Sequence, residues 1–377
     1  MNNLITQLKL SEEFDSKINK KLLIGSLEEL DDLIGMNGVK ESVIEMVCEN
    51  IVDPFKTDIG NHCMITGPPG VGKTTFIAIL AKIMFSLGIT TSLTLGGGSS
   101  IASPSTIEKL IIHRTAGIKF VEDQVDYILE ELGNSVNEGP NTNPNMVTRL
   151  KWIKEISLDL FEDGKPFLFA SPRDNIVPLI VRCTRAEVVG QFQGHTANNM
   201  RLLYEKARGG ILVVDEAYSL MNSSSDGSED NFGKEAIDTL NQLMSEYPDT
   251  VVILGGYEDE IRNRLFVAQK GLESRIQYVF DITPPNTEEL AMMLKRRLGD
   301  RSLVELKEII QLLDQVKVDG YGRGIAKLAK QASLVSARRR FFNKGDSHIT
   351  IDDLMGGLDR CKFIEPAQSE YVRSMFI

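Results

Sequence analysis

Gly67-Pro68-Pro69-Gly70-Val71-Gly72-Lys73-Thr74 is the stretch whose reading decides the fold. A short apolar run, His62-Cys63-Met64-Ile65-Thr66, precedes it, and an apolar helical pattern from Thr74 to Phe85 follows. Strand, glycine-rich turn and helix in that order, with the spacing G-x-x-x-x-G-K-[ST], describe a phosphate-binding loop. Glycines let the backbone curl until successive N–H groups face phosphate oxygens, where a Cβ would obstruct the approach. The helix that follows turns its N-terminus toward the same charge. Lys73 supplies a mobile cation to the β- and γ-phosphates, and Thr74 offers a hydroxyl to Mg²⁺. ATP with Mg²⁺ is therefore the expected ligand, contacted by Gly67, Pro68, Pro69, Gly70, Val71, Gly72, Lys73, Thr74 and Thr75. The competing reading is a Gly/Pro turn that happens to start a Lys-Thr helix, and the strand before the loop speaks against it.

Outward from the loop, further short apolar runs lie at Val177–Arg182, Ile211–Val214 and Val251–Leu254. None alternates with polar residues, as expected of parallel strands buried on both faces. Helical patterns separate them, giving repeated βα units around a parallel sheet. Residues 1–30 read as one or two short lead-in helices, and Val39 to Val52 as a helix. About 99–175 reads as an insertion with its own small helical packing, since a structureless connection of that length is uncommon. After Pro284-Pro285 the pattern is helical, at Thr287–Leu298, Ser302–Val316 and Gly324–Phe342, with a short strand expected at His348–Ile351. The expected organisation is a lead-in at 1–30, an α/β nucleotide-binding domain at 31–283 and a small helical lid at 284–377.

Ile211-Leu212-Val213-Val214-Asp215-Glu216 ends an apolar strand on two carboxylates. Parallel sheets bind ligands at the carboxyl ends of their strands. Asp215 is suited to hold Mg²⁺, and Glu216 to polarise an attacking water as general base. Two carboxylates beside a polyphosphate would repel it without a metal, so the pair implies Mg²⁺. Read alone, the same two residues could be ordinary solubilising acids at a strand end.

The chain has 42 Lys plus Arg against 53 Asp plus Glu, a net charge of −11. It lacks the broad positive field that draws non-specific nucleic-acid binders to phosphate backbones. Arg338-Arg339-Arg340 is one candidate for a local basic patch and reads as the solvated end of a helix. Its four cysteines are scattered without a CxxC pair, no secretory signal is visible at the amino terminus, and no run approaches membrane-spanning length. A cytoplasmic protein with no membrane partner is the expectation.

Several segments together resemble the CbxX/CfqX branch of AAA ATPases, which includes the red-type Rubisco activases. They are Leu33-Ile34-Gly35-Met36, GPPGVGKTT, Val188-Val189-Gly190-Gln191-Phe192-Gln193-Gly194-His195-Thr196, GGILVVDEAYSL, Phe232-Gly233-Lys234-Glu235-Ala236-Ile237, VVILGGY and Gly271-Leu272-Glu273-Ser274-Arg275. The insertion at 99–175 departs from that pattern. The resemblance implies an AAA α/β domain with its parallel sheet flanked by helices, followed by the helical lid, and an ATPase that forms a homo-oligomeric ring, expected to be a hexamer. It adds Ile34 and Gly35 to the nucleotide contacts. It makes Arg275 the arginine finger reaching a neighbour's γ-phosphate, and Arg323 the lid's sensor arginine. Either arginine could instead be a surface ion-pair partner. Tyr257 falls near the sensor-1 position, with a core tyrosine an equal alternative. Phe192 matches the central pore loop that grips a polypeptide client, against the reading of a phenylalanine buried in a turn. A protein-remodelling machine leads this reading. A DNA-associated loader and a nucleotide-gated scaffold are the alternatives.

Overall fold

Five apolar runs form strands: β1 (His62–Thr66), β2 (Ile180–Cys183), β3 (Ile211–Val214), β4 (Val251–Gly256) and β5 (Ile276–Asp281). In this computed structural model, which describes residues 1–11, 18–52, 60–90, 179–190, 194–221, 230–343 and 348–362, they lie in the order β2-β3-β4-β1-β5. Ile211 of β3 sits opposite Ile180 of β2 on one side and Val251 of β4 on the other, both pairings parallel. Every residue of β1, β3 and β4 is buried, which is why their sequences carry no polar alternation. The edge strand β5 buries only Phe280 fully. Its mixed Ile-Gln-Tyr-Val-Phe-Asp offers no continuous apolar run, and the sequence reading did not include it.

Helices cover the sheet. They run as α1 (Asn2–Leu10), α2 (Lys20–Asp31), α3 (Asn37–Val52), α4 (Lys73–Ser86), α5 (Arg185–Val188), α6 (His195–Lys206), α7 (Asn231–Glu246) and α8 (Lys270–Glu273). α4 buries Phe76, Ile77, Ile79, Leu80, Ile83, Met84 and Phe85. A helix apolar on so much of its circumference belongs in an interior. On the β3 side, Met200 and Tyr204 of α6 and Ile237, Leu240 and Leu243 of α7 share one core with Leu212, Val214, Val252 and Leu254 of the sheet.

The carboxyl-terminal part consists of α9 (Thr287–Leu298), α10 (Leu306–Asp314), α11 (Tyr321–Asn343) and α12 (Ile351–Cys361). A reciprocal cap starts α9: Asn286 Oδ1 accepts from Glu289 N–H and Glu289 Oε2 accepts from Asn286 N–H, both at 2.8 Å. Leu290, Leu294, Ile309, Leu312, Ile325, Leu328, Leu354 and Leu358 form the core of this bundle. Two expectations change here. The strand at His348–Ile351 is a single bridge from Ile349 to Ser302, because α12 begins at Ile351. The Arg338-Arg339-Arg340 cluster is not uniformly solvated: Arg339 reaches the buried Asp353 through Nε at 3.1 Å and Nη2 at 2.8 Å. Burial alone would raise the Asp353 pKa, but the bonds from Arg339 and from Thr350 N–H outweigh it and hold the carboxyl below its ordinary range.

The chain divides into two compact units interleaved in sequence. One holds Met1–Leu30, Glu41–Ile65 and the described part of Phe76–Phe280; the other holds Asp31–Lys40, Thr66–Thr75 and the described residues from Asp281 onward. The insertion at 99–175 and Phe192 lie outside the described residues.

Candidate functional site

The phosphate loop begins where β1 ends, and its backbone takes the form its glycines allow. Gly67, Gly70 and Gly72 have φ of +134°, +87° and +105°, values that L side chains rarely adopt. Space excludes a side chain as well: a Cβ on Gly70 would lie 2.1 Å from the Gly320 carbonyl, and one on Gly67 2.5 Å from the Ile282 carbonyl. Lys73 Nζ folds over its own loop and donates to the carbonyls of Gly67 at 2.6 Å and Pro68 at 3.1 Å. Thr74 and Thr75, in the first turn of α4, are exposed. A curled glycine backbone, an ammonium at its rim and an exposed hydroxyl fit a polyphosphate and a hard cation that prefers oxygen ligands.

The same compact unit gathers the flanking candidates. Gly322 N–H donates to the Gly70 carbonyl at 3.1 Å, so the start of α11 is tied to the loop. Arg323, the next residue, is exposed. Lys40 Nζ closes the turn before α3 by donating to the carbonyls of Asp31 and Leu33 at 2.9 and 2.6 Å. Ile34 and Gly35 sit in that turn, half-buried, with the Glu289 carboxylate 2.9 Å from where a Gly35 Cβ would stand.

In the other unit, Asp215 and Glu216 follow β3 and are both exposed. Glu216 adopts φ +49° and ψ +49°, a left-handed conformation costing a non-glycine residue about 1–2 kcal/mol. The 3₁₀ turn Ala217–Leu220 behind it, with Ala217 and Leu220 fully buried, fixes that conformation. Asp215 Oδ1 accepts from Glu216 N–H at 3.1 Å, and its other oxygen has no hydrogen-bond partner among the described residues. That free oxygen suits a cation. Tyr218 packs against Tyr257, ring centroids 5.8 Å apart. Burial, then the nearby Glu216 charge, pushes the Tyr218 phenol above its ordinary pKa. Tyr257 is 42% exposed, so the core alternative for it does not hold.

Arg275 follows α8 and is half-buried. It donates through Nε and Nη2 to Ser245 Oγ at 2.8 and 2.5 Å, and through Nη1 to the Gly271 carbonyl at 2.7 Å. Among the described residues no carboxylate pairs with it, so the ion-pair alternative finds no partner there.

A family model described as "ATPase family associated with various cellular activities (AAA)" matches residues 168–276, the stretch that carries Asp215, Glu216 and Arg275. Protein CfxQ homolog of Guillardia theta is 32% identical over 366 residues, covering 93% of this chain and 93% of its own. The chain belongs to the CbxX/CfqX branch of the AAA ATPases. The chloroplastic ribulose bisphosphate carboxylase/oxygenase activase of Cyanidioschyzon merolae is 25% identical over 362 residues, covering 90% of this chain and 89% of its own. The FIGL-1 AAA domain in complex with ADP superposes with a TM-score of 0.45 at 14% identity, covering 99% of this chain and 95% of that one.

In this AAA ATPase the residues around two of the segments that carry the resemblance, 188–196 and 232–237, hold one another by hydrogen bonds. Gly190 N–H donates to Thr196 Oγ1 at 3.1 Å, and Asn199 Nδ2 donates to the Val188 carbonyl at 3.2 Å. Glu235, in the first turns of α7, accepts from Ala197 N–H at 3.2 Å. Arg185 donates to the Leu220 carbonyl and to Asp230 Oδ2, the latter at 2.6 Å, while Asp230 Oδ1 caps α7 at Gly233 N–H. Arg185 therefore joins the turn behind Glu216 to the start of α7. Sequence reasoning gave it no role, since its partners lie 35 and 45 residues away and no periodicity links them.

Proposed function

We propose that this protein is a Mg²⁺-dependent ATPase that works as a homo-oligomeric ring, expected to be a hexamer, and couples hydrolysis to remodelling a polypeptide client. The state of Arg275 carries the reading. A guanidinium that is half-buried, fixed by a hydroxyl and a carbonyl, and without a carboxylate partner among the described residues keeps its charge for an anion outside its own subunit. A γ-phosphate held by the neighbouring subunit is such an anion.

In this reading the backbone of Gly67–Thr75 cradles the phosphates, and Lys73 leaves the carbonyls of Gly67 and Pro68 to meet them. Thr74 and Asp215 would hold Mg²⁺, which neutralises phosphate charge. Glu216, exposed just past the end of β3, takes the proton of the attacking water. Arg323 reaches the nucleotide from the helix start tied to Gly70. Ile34 and Gly35 contact the nucleotide from the turn closed by Lys40. Phe192 grips the client, and its test is Phe192→Ala, which should keep nucleotide affinity and lose client stimulation. Net charge −11 disfavours nucleic acid as the client. Cytoplasmic location belongs to the same proposal; among the described residues no helix is long and apolar enough to cross a membrane.

The ring is tested by activity against protein concentration. Specific activity should rise until assembly saturates, and Arg275→Ala subunits mixed into wild type should depress activity beyond dilution. Activity strictly proportional to concentration, in protein that light scattering shows to be monomeric with ATP present, would overturn the reading.

A further inference from the structure

Ser245 is the last residue but one of α7, and nothing in its own sequence neighbourhood marks it. Its hydroxyl is nevertheless fully committed. Oγ donates to the Asn241 carbonyl one turn back at 3.3 Å and accepts from both Nε and Nη2 of Arg275. A serine hydroxyl has one proton and two lone pairs, so this arrangement uses its entire capacity. The proton goes to the helix and both lone pairs face the guanidinium.

Arg275 is held at a second point by the Gly271 carbonyl, which accepts from Nη1. Its backbone is fixed too, by donation from Arg275 N–H to the carbonyl of Leu272, whose side chain is fully buried. A guanidinium carries five N–H groups. Three are spent on Ser245 and Gly271, which leaves one on Nη1 and one on Nη2. Two N–H groups on the two terminal nitrogens are what a phosphate oxygen pair needs for a forked contact. The long, flexible arginine side chain is thereby stiffened before any phosphate arrives, and fixing a group in its reacting geometry is a large source of rate.

We propose that Ser245 is a positioning residue for Arg275: it locks the guanidinium so that its remaining N–H pair is presented to the phosphate held by the adjacent subunit. This rests on the reading of Arg275 as a finger acting between subunits, and deepens it. Ser245 itself touches neither nucleotide nor water in the reaction. It acts through Arg275.

The experiment compares Ser245→Ala, Ser245→Thr and Arg275→Ala in the full-length protein, using steady-state ATP hydrolysis, binding of a fluorescent ATP analogue and thermal melting. Ser245→Ala should lower kcat about 10- to 100-fold, the scale of a reacting group displaced by a fraction of an ångström to one ångström. KM, analogue affinity and melting temperature should stay near wild type. Ser245→Thr keeps the hydroxyl and should retain most of the activity. The decisive arm mixes Ser245→Ala subunits with Glu216→Gln subunits. Each alone is slow, but the second still has an intact finger to lend to the first, so the mixture should recover activity above the sum of the two. A defect confined to Ser245's own subunit would not be rescued in this way. Wild-type kcat in Ser245→Ala beside a strong loss in Arg275→Ala overturns the positioning role and leaves the finger standing. Loss in Ser245→Ala with no recovery in the mixture, or with a lowered melting temperature that Ser245→Thr shares, makes Ser245 structural and also overturns it. Wild-type kcat in Arg275→Ala removes the finger itself and the proposal with it.

Discussion

The loops that leave β1 and β3 both require left-handed backbone, and they obtain it in opposite ways. After β1 the chain places Gly67, Gly70 and Gly72 at φ between +87° and +134°. After β3 it forces Glu216, a residue with a Cβ, to φ +49°. The difference follows from which atoms are asked to act. In the first loop the backbone itself is the candidate ligand surface, and any side chain would be in the way. In the second the side chain is the candidate reagent, so glycine is not available and the strain is carried by packing around the buried Ala217 and Leu220.

The largest effect should come from removing the reagent and leaving the strain. Glu216→Gln keeps the side-chain shape and should retain nucleotide binding while turnover falls about 10²- to 10⁴-fold, the range of general-base contributions. Unchanged turnover in a single-turnover assay would mean that the left-handed turn serves something other than hydrolysis.

Next in size is a side chain placed where the first loop excludes one. Gly70→Ala sets a methyl 2.1 Å from the Gly320 carbonyl at φ +87°, combining overpacking with left-handed strain for about 3 kcal/mol or more. Gly194→Ala is the control: at φ +84° and ψ −20° it is left-handed too, with no atom within 4 Å of the new methyl, so it should cost only about 1 kcal/mol. Equal losses in urea melts would show that conformation alone, and not close approach, demands glycine at position 70.

The opposite end of β1 carries a titratable group with no assigned chemistry, and it separates stability from activity. His62 is buried, its Nδ1 accepts from Val252 N–H at 3.0 Å, and burial lowers its pKa to about 4. Between the ordinary value near 6.5 and about 4 the unfolded chain binds a proton that the folded chain refuses. Stability should therefore fall as pH drops through that window, by up to about 3 kcal/mol. Urea melts at pH 7 and pH 4.5 should show the fall in wild type and a smaller one in His62→Gln. A slope unchanged in the variant would assign it to carboxylates elsewhere.

The smallest effect tests the strain itself. Asparagine tolerates left-handed backbone better than glutamate, so Glu216→Asn should raise stability by about 0.5–1 kcal/mol while abolishing turnover. A variant no more stable than wild type would show that the turn relaxes without cost.

The candidate site is legible in sequence where its residues are contiguous. Phosphate cradles need several backbone groups within one turn, so Gly67–Thr75 reads as a candidate cradle from its spacing, and Asp215-Glu216 as a candidate metal ligand beside a candidate base. The buried strands β1, β3 and β4 and the helix α9 were equally readable, because burial on both faces and helical spacing of apolar residues write themselves into consecutive residues, while the reciprocal cap of α9 came from the structure. Tertiary structure alone decided the rest. It converted Arg339 from a solvated charge into the partner of Asp353, 14 residues on, paired Arg275 with Ser245, 30 residues back, and let Arg185 join segments 35 and 45 residues distant. It also made a strand of Ile276–Asp281, whose edge position leaves one face solvated. A periodicity or a spacing reports only what neighbouring residues do to one another. Which serine accepts from which arginine depends on how loops between them close, and that is settled by the packing of whole helices and strands.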